Sequence, residues 1–303
     1  MVADLSVQIG KIRMKNPVMT ASGTYGFGRE YGEYVDLNRL GALVVKGITL
    51  EPCAGNPPPR ICETPAGLLN AVGLQNSGLQ TFIKEELPYL QGLAPPIIVN
   101  ASAHTEEDFC RLVERLGELS GIDGIELNVS CPNVRHGGIA FGTDPQILYN
   151  LVSSVRDCTD RTLIVKLSPN VSDIVEVAVA AEKAGADALS LINTLIGMTI
   201  DIEKQRPVLA NRTGGLSGPA IRPVAVRMVW EVSDAVMIPV IGMGGIVTAA
   251  DALQFILAGA SAVAVGSAHF ANPQAALDVC EGIEKYLEER GCRLKEIIGA
   301  AKR

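Results

Sequence analysis

Residues 125–133 read Ile125-Glu126-Leu127-Asn128-Val129-Ser130-Cys131-Pro132-Asn133. The first half alternates apolar and polar side chains as a strand does, and Pro132 removes a backbone donor and stops the run. Asn128, Ser130 and Cys131 are therefore presented together at a strand's C-terminal end. In a barrel of parallel strands, that end carries the chemistry. A free cysteine usually behaves as a small buried hydrophobe, and that reading serves for Cys53, Cys62, Cys110, Cys158, Cys280 and Cys292. Cys131 differs, because two asparagines and a serine surround it and the glycine-bearing segment Val134-Arg135-His136-Gly137-Gly138 follows. It is the candidate catalytic thiol.

Outward from this stretch, the chain repeats a strand-then-helix rhythm. Strands are expected at Pro17–Thr20, Ala42–Lys46, Pro96–Asn100, Gly124–Asn128, Leu163–Lys166, Ala188–Leu191, Val240–Gly242 and Ala262–Val265. Most are short continuous apolar runs, the pattern of parallel strands buried on both faces. Thr105, with Asp108 three residues later, opens a helix whose Phe109, Leu112, Val113, Leu116 and Leu119 recur at helical spacing. Asn272 and Pro273 open the last expected helix, which carries Ala276, Val279, Ile283 and Leu287 on one face. Eight such units in 303 residues make one (β/α)8 TIM barrel domain, residues 1–303, with a doubly wound open sheet as the alternative. A hairpin of Ser6–Ile9 and Lys11–Met14 around Gly10 is expected to plug one end. The connections 48–95, after the second strand, and 193–239, after the sixth, exceed plain barrel loops. Loops of that length usually serve function, so both are expected to build the mouth of the site.

The residues at or just beyond the strand ends are Ser22, Lys46, Asn100, Asn128, Lys166, Asn193, Gly244 and Gly266. Lysine is seldom buried unless paired, yet Lys46 and Lys166 each close a run that must be interior. A lysine snorkelling to the rim is the bland alternative. Two lysines and three asparagines converging on one end point to a ligand. Gly242-Met243-Gly244-Gly245 and Gly266-Ser267 follow the last two strands, where glycines admit an anion to backbone N–H groups and barrels often bind phosphate. Gly214-Gly215-Leu216-Ser217-Gly218-Pro219 is a third such loop, expected to open a helix.

Composition removes several classes. A net charge of −7 disfavours a nucleic-acid partner, which needs clustered positive charge. Seven cysteines without a C-x-x-C pair fit neither a disulfide framework nor a zinc or iron–sulfur site, and imply a reducing cytoplasm. The N-terminus has no apolar secretion segment, and no stretch of ~20 apolar residues suggests a membrane span.

Asn70-Ala71-Val72-Gly73-Leu74-Gln75-Asn76, Asn128-Val129-Ser130-Cys131-Pro132-Asn133, Ile192-Asn193-Thr194 and Gly242-Met243-Gly244-Gly245 together resemble the catalytic, FMN-binding chain of the dihydroorotate dehydrogenases. The similarity runs from Leu5 to the end of the last expected helix. It implies that Cys131 is the base. By the same resemblance Lys46, Asn70, Ala71, Val72, Gly73, Leu74, Asn128, Asn193 and Thr194 hold dihydroorotate. Ser22, Gly47, Asn100, Lys166, Ile192, Gly218, Gly244, Gly245, Gly266 and Ser267 hold FMN, with Lys46 and Asn128 shared between the two sets. A cysteine base, in place of the serine of the membrane-associated relatives, and the lack of their N-terminal segment imply a soluble class. The loop His136–Pro145 looks like that of the NAD-linked class 1B. In that class a second subunit carries FAD and an iron–sulfur cluster, and two copies of each subunit form a heterotetramer around a dimer of this chain.

The resemblance implies that C5 of dihydroorotate loses a proton to Cys131 while C6 gives a hydride to the flavin. The loop Asn133–Gly142 is expected to act as a lid. A fumarate-linked enzyme, a flavin-free phosphate-binding lyase or isomerase using Lys166 as a Schiff base, and a non-catalytic scaffold are the rival readings. None of the glycine clusters has G-x-G-x-x-G spacing, so no dinucleotide site is expected in this chain.

Overall fold

Parity along the apolar runs decides the architecture, since successive side chains of a strand face opposite ways. The computed structural model describes residues 4–130 and 141–303. The strands in chain order are β1 (Val7–Ile9), β2 (Ile12–Met14), β3 (Val18–Thr20), β4 (Leu43–Ile48), β5 (Ile61–Thr64), β6 (Gly67–Asn70), β7 (Ile97–Ala101) and β8 (Gly124–Asn128). There follow β9 (Thr162–Lys166), β10 (Ala188–Leu191), β11 (Leu195–Gly197), β12 (Ile200–Asp201), β13 (Arg206–Pro207), β14 (Gly214–Ser217), β15 (Val240–Met243) and β16 (Ala262–Val265). Eight of them pair in the order β3-β16-β15-β10-β9-β8-β7-β4, and a parallel bridge between Met19 and Ala42 joins the two ends. The sheet is thus a closed barrel, as expected, and the open-sheet alternative fails.

Odd and even positions feed two separate cores. Ile97, Val99, Ile125, Leu127, Leu163, Val165, Leu189 and Leu191 belong to the layer between strands and helices. Ile98, Ile164, Ala188, Ile241 and Ala262 face the barrel interior, where Ile9, Ile12 and Met14 of the β1–β2 hairpin pack against them. The hairpin plugs the N-terminal end of the barrel, which closes it to water. Further along the same inward rows the residues turn polar, and Asn100, Glu126, Lys166 and Ser190 are all buried.

The helices are α1 (Gly78–Thr81), α2 (Leu87–Leu90), α3 (Glu106–Gly117), α4 (Pro145–Arg156), α5 (Ile174–Lys183), α6 (Arg222–Ala235), α7 (Ala249–Leu257), α8 (Ala275–Arg290) and α9 (Leu294–Ile297). Thr105 caps α3 as expected, its hydroxyl accepting from Asp108 N at 3.1 Å. α8 begins two residues after Pro273, because Asn272 Oδ1 accepts from Gln274 N in a turn ahead of the helix. It is not the last helix, since α9 follows it.

The two long connections are structured, and against each other. β5 and β6 from the first and β11 and β14 from the second form one antiparallel sheet in the order β11-β14-β6-β5. Gly214–Ser217 is therefore strand, and not the opening of a helix. The helical turn begins only at Pro219, with Gly218 ahead of it at φ +99°.

Candidate active site

Parallel pairing sets Asn100 beside Glu126, Asn128 beside Lys166, and Lys166 beside Ser190. All of these point inward at the C-terminal end of the barrel, and their side chains close one network. Asn100 Nδ2 donates to Glu126 Oε1 at 2.7 Å, Ser22 Oγ to the same oxygen at 3.1 Å, and Ser190 Oγ to Oε2 at 2.8 Å. Lys166 Nζ donates to Ser22 Oγ at 2.9 Å and lies 3.7 Å from Glu126 Oε1. With Lys166 6% and Glu126 2% exposed, removing either partner alone leaves a buried charge unbalanced, a cost of about 3–5 kcal/mol. Lys166 is thus a paired, buried ammonium.

Lys46 is different. It is half-buried and has neither a side-chain hydrogen bond nor an ion pair among the described residues. Burial lowers its pKa below the ordinary 10.5, against the opposing pull of Glu30 and with a smaller push from Arg60. An ammonium that gives up hydration without gaining a partner is suited to an anionic ligand.

The second cluster links the barrel to the insertion sheet. Asn193 Nδ2 donates to Ser130 Oγ at 2.9 Å and to Asn128 Oδ1 at 3.3 Å, and Asn193 Oδ1 accepts from Thr194 N at 2.8 Å. Asn70 ends β6, where it pairs with Gly215 and donates to its carbonyl at 3.3 Å. A Cβ on Gly215 would collide with the Thr194 side chain. Asn70 and the adjacent pair Asn193 and Thr194, far from it in the chain, thus reach one rim. Ala71, Val72, Gly73 and Leu74 continue from β6 in a turn held by Asn56 and Asn76. Asn56 Nδ2 donates to Ala71 O at 2.9 Å, and Asn76 Nδ2 to Leu74 O at 2.8 Å. Leu74 adopts φ +58° there.

The glycine positions divide. A Cβ on Gly47 would lie 2.8 Å from Asn100 Oδ1, so that glycine lets the asparagine lie against β4. Gly244 (φ +126°) and Gly245 (φ +76°) are crowded by protein: a Cβ would lie 2.9 Å from Ala225 Cβ at the first and 2.7 Å from Gly218 O at the second. Packing requires glycine at both, and Ile192 lies in the contact at Gly244. Gly266 has nothing closer than Ala21 Cβ at 3.5 Å on its Cβ side, and Ser267 opens a 3-10 turn. The first N–H groups of such a turn have no acceptor within it. An open glycine ahead of free donors fits a phosphate, and the buried Lys166 fits an electron-rich ring, so the residues present suit FMN.

Cys131 and residues 132–140, which include most of the expected lid and half of the subclass loop, lie outside the described residues. The described chain reaches their two ends together, with Gly142 N donating to Val129 O at 2.8 Å. The six other cysteines are free and half-buried, less enclosed than expected of small hydrophobes. A concavity of about 980 Å³ lies at the opposite end, lined by Lys11, Asp123, Arg156 and Thr162. It is not the site, because its Arg156 is already bound to Asp187 and the strands' N-terminal ends carry stability rather than chemistry.

Sequence reasoning missed Glu126, Ser190 and Asn170. Glu126 and Asn128 share one strand face, so an acid in a buried run was the available signal. Asn170, which donates to Thr194 O at 2.9 Å and accepts from Ile196 N at 2.9 Å, gives none.

A family model described as dihydroorotate dehydrogenase matches residues 4–287. The chain is 59% identical over 298 residues, 98% of each protein, to the "Dihydroorotate dehydrogenase B (NAD(+)), catalytic subunit" of Geotalea uraniireducens. Proteins of the same name from Trichlorobacter lovleyi and Alkaliphilus metalliredigens are each 57% identical, over 98% of each chain. With a closed barrel, a polar inner layer at its C-terminal end and a match over nearly its whole length, the chain belongs to the dihydroorotate dehydrogenase family.

Proposed function

We propose that this chain is the FMN-binding catalytic subunit that oxidises dihydroorotate to orotate in pyrimidine biosynthesis and passes the electrons to NAD through a separate subunit. The observation that carries the reading is the network of buried Lys166, Asn100 and Glu126 with half-buried Ser22, together with Lys46, which has no side-chain hydrogen bond or ion pair among the described residues. The network supplies one neutralised pocket for a ring, and Lys46 a cation without a partner among the described residues for an anion. When bound, FMN supplies the acceptor for the hydride leaving C6.

The chain's own residues do the rest. Lys46 holds the substrate carboxylate. Asn128, Asn193 and Thr194, tied to one another, orient the ring with Asn70 and the turn Ala71–Leu74 at the rim. Cys131 takes the proton from C5. A free thiol has a pKa of ~8.5, so nearby cations and donors must favour the thiolate. Ser22, Gly47, Asn100, Lys166 and Ile192 hold the FMN ring, and Gly218, Gly244, Gly245, Gly266 and Ser267 its phosphate end, with Lys46 and Asn128 touching both ligands.

The acceptor follows from what the chain lacks in sequence, a dinucleotide fingerprint and clustered cysteines. A partner with FAD and an iron–sulfur cluster would bridge FMN and NAD, two copies of each subunit forming a heterotetramer in the cytoplasm. Residues 1–303 act as one domain in this arrangement. No helix among the described residues is long and apolar enough to cross a membrane.

The test is to purify the chain alone, assay its flavin, and compare dihydroorotate oxidation with NAD, fumarate and an artificial dye. Yellow protein that is active with the dye and slow with NAD is expected. Rapid NAD reduction by the isolated chain, or a preference for fumarate, overturns the acceptor assignment; protein without flavin overturns the cofactor.

A further inference from the structure

Glu126 stands outside every expected binding set, yet Ser22, Asn100, Ser190 and Lys166 all converge on it. Three neutral donors occupy its two oxygens, at 2.7, 2.8 and 3.1 Å, which is the donor set of an ionised carboxylate. They also anchor it. Lys166 Nζ stops 3.7 Å away and donates to Ser22 Oγ instead. The ammonium therefore keeps N–H donors for a ligand, while a negative charge fixed behind it offsets part of its field. In a buried site such a field is weakly screened.

We infer that Glu126 is a positioning residue that sets how strongly Lys166 stabilises the negative charge a hydride's arrival adds to the ring of bound FMN. This rests on the FMN site proposed above. The carboxylate opposes that added charge, so it holds the two-electron potential of the flavin down and favours passing electrons onward over retaining them. An acid that only filled space would leave the potential alone when replaced by its amide.

Glu126→Gln keeps the shape and can reproduce the three hydrogen bonds, with Oε1 accepting from Asn100 and Ser22 and Nε2 donating to Ser190. The charge alone is lost. In the FMN-loaded chain, a spectroscopic redox titration is expected to show the equilibrium moved at least tenfold toward the reduced flavin, about 30 mV upward for a two-electron couple. Ser190→Ala withdraws one donor and leaves the charge less spread, so its potential is expected to fall two- to threefold in the same equilibrium. That opposite sign carries the test if the glutamine variant does not fold. An unchanged or lowered potential in Glu126→Gln, or an unchanged or raised one in Ser190→Ala, with FMN bound in both, overturns the inference. Wild-type chain that binds no FMN would instead overturn the proposed function on which it stands.

Discussion

At the scale of single residues, two lysines that look alike in sequence are separated by what surrounds them. Lys166 has a hydroxyl and a carboxylate within reach, whereas Lys46 has lost water and gained no hydrogen-bond or ion-pair partner among the described residues. Lys46→Ala is therefore expected to raise KM for dihydroorotate about tenfold or more with FMN retained, a charged hydrogen bond being worth about 1.5–3 kcal/mol. Lys166→Ala should instead release FMN. Because burial lowers the Lys46 pKa, the ammonium is lost at a pH below the ordinary lysine value, and KM should climb there as pH rises. Steady-state KM across pH 7–10 with a dye acceptor, for wild type and both variants, checks this. A wild-type KM that is flat with pH, or swapped phenotypes, removes the assignment. Burial at a strand end was legible from the apolar runs ahead of both lysines. Which lysine is paired was not, because Glu126 and Ser22 meet Lys166 only when segments 40 and 144 residues away in sequence close on it.

At the scale of elements, the rim of the site is a sheet made from both insertions. Its strands run three to four residues and include exposed apolar side chains such as Ile61 and Ile196. With neither face of β5 consistently buried, no alternation marks it, and the proline-rich connection reads as loop. The pairing of β14 with β6 sets Asn70 against Gly215, with Thr194 packed over that glycine. Gly215→Ala should therefore displace Thr194. Overpacking of this kind costs about 1–3 kcal/mol locally. The expected result is a KM for dihydroorotate raised about tenfold with FMN content and melting behaviour close to wild type. Measured binding of orotate, a KM change absent, or FMN lost in place of substrate affinity decides whether the sheet presents Thr194 as described.

At the scale of the whole molecule, the burial of His269 makes folding stability depend on pH. His269 is 1% exposed and sits in the 3-10 turn after β16, its ring edge-on to Tyr25 at 4.5 Å. A carbonyl can only accept, so Nδ1 carries the proton in its 3.0 Å contact with Gly266 O. Burial pushes its pKa down from 6.5 to about 4. The folded value lies below the unfolded one, so the stability from the neutral ring is complete above pH 6.5 and is lost as pH falls toward 4. By pH 5 the loss should reach about 2 kcal/mol. Denaturant melts at pH 7 and pH 5 should show it in the wild type and a much smaller change in His269→Gln; equal changes in both would discharge His269 from this role.

By itself the sequence determined the barrel and the end of it that carries the chemistry. Those depend on local periodicity: continuous apolar runs, caps such as Thr105, and polar residues where each run stops. It also placed Lys46, Asn100, Asn128 and Lys166 at strand ends, since a strand's end can be read from the strand alone. Only the tertiary structure decided that Glu126 is the hub beneath them and that the two insertions form one sheet. It also decided that Gly244 is crowded by side chains and Gly245 by the Gly218 carbonyl while Gly266 stands open. These are contacts between segments distant in the chain, and barrel closure and strand register, which no local pattern encodes, bring them together.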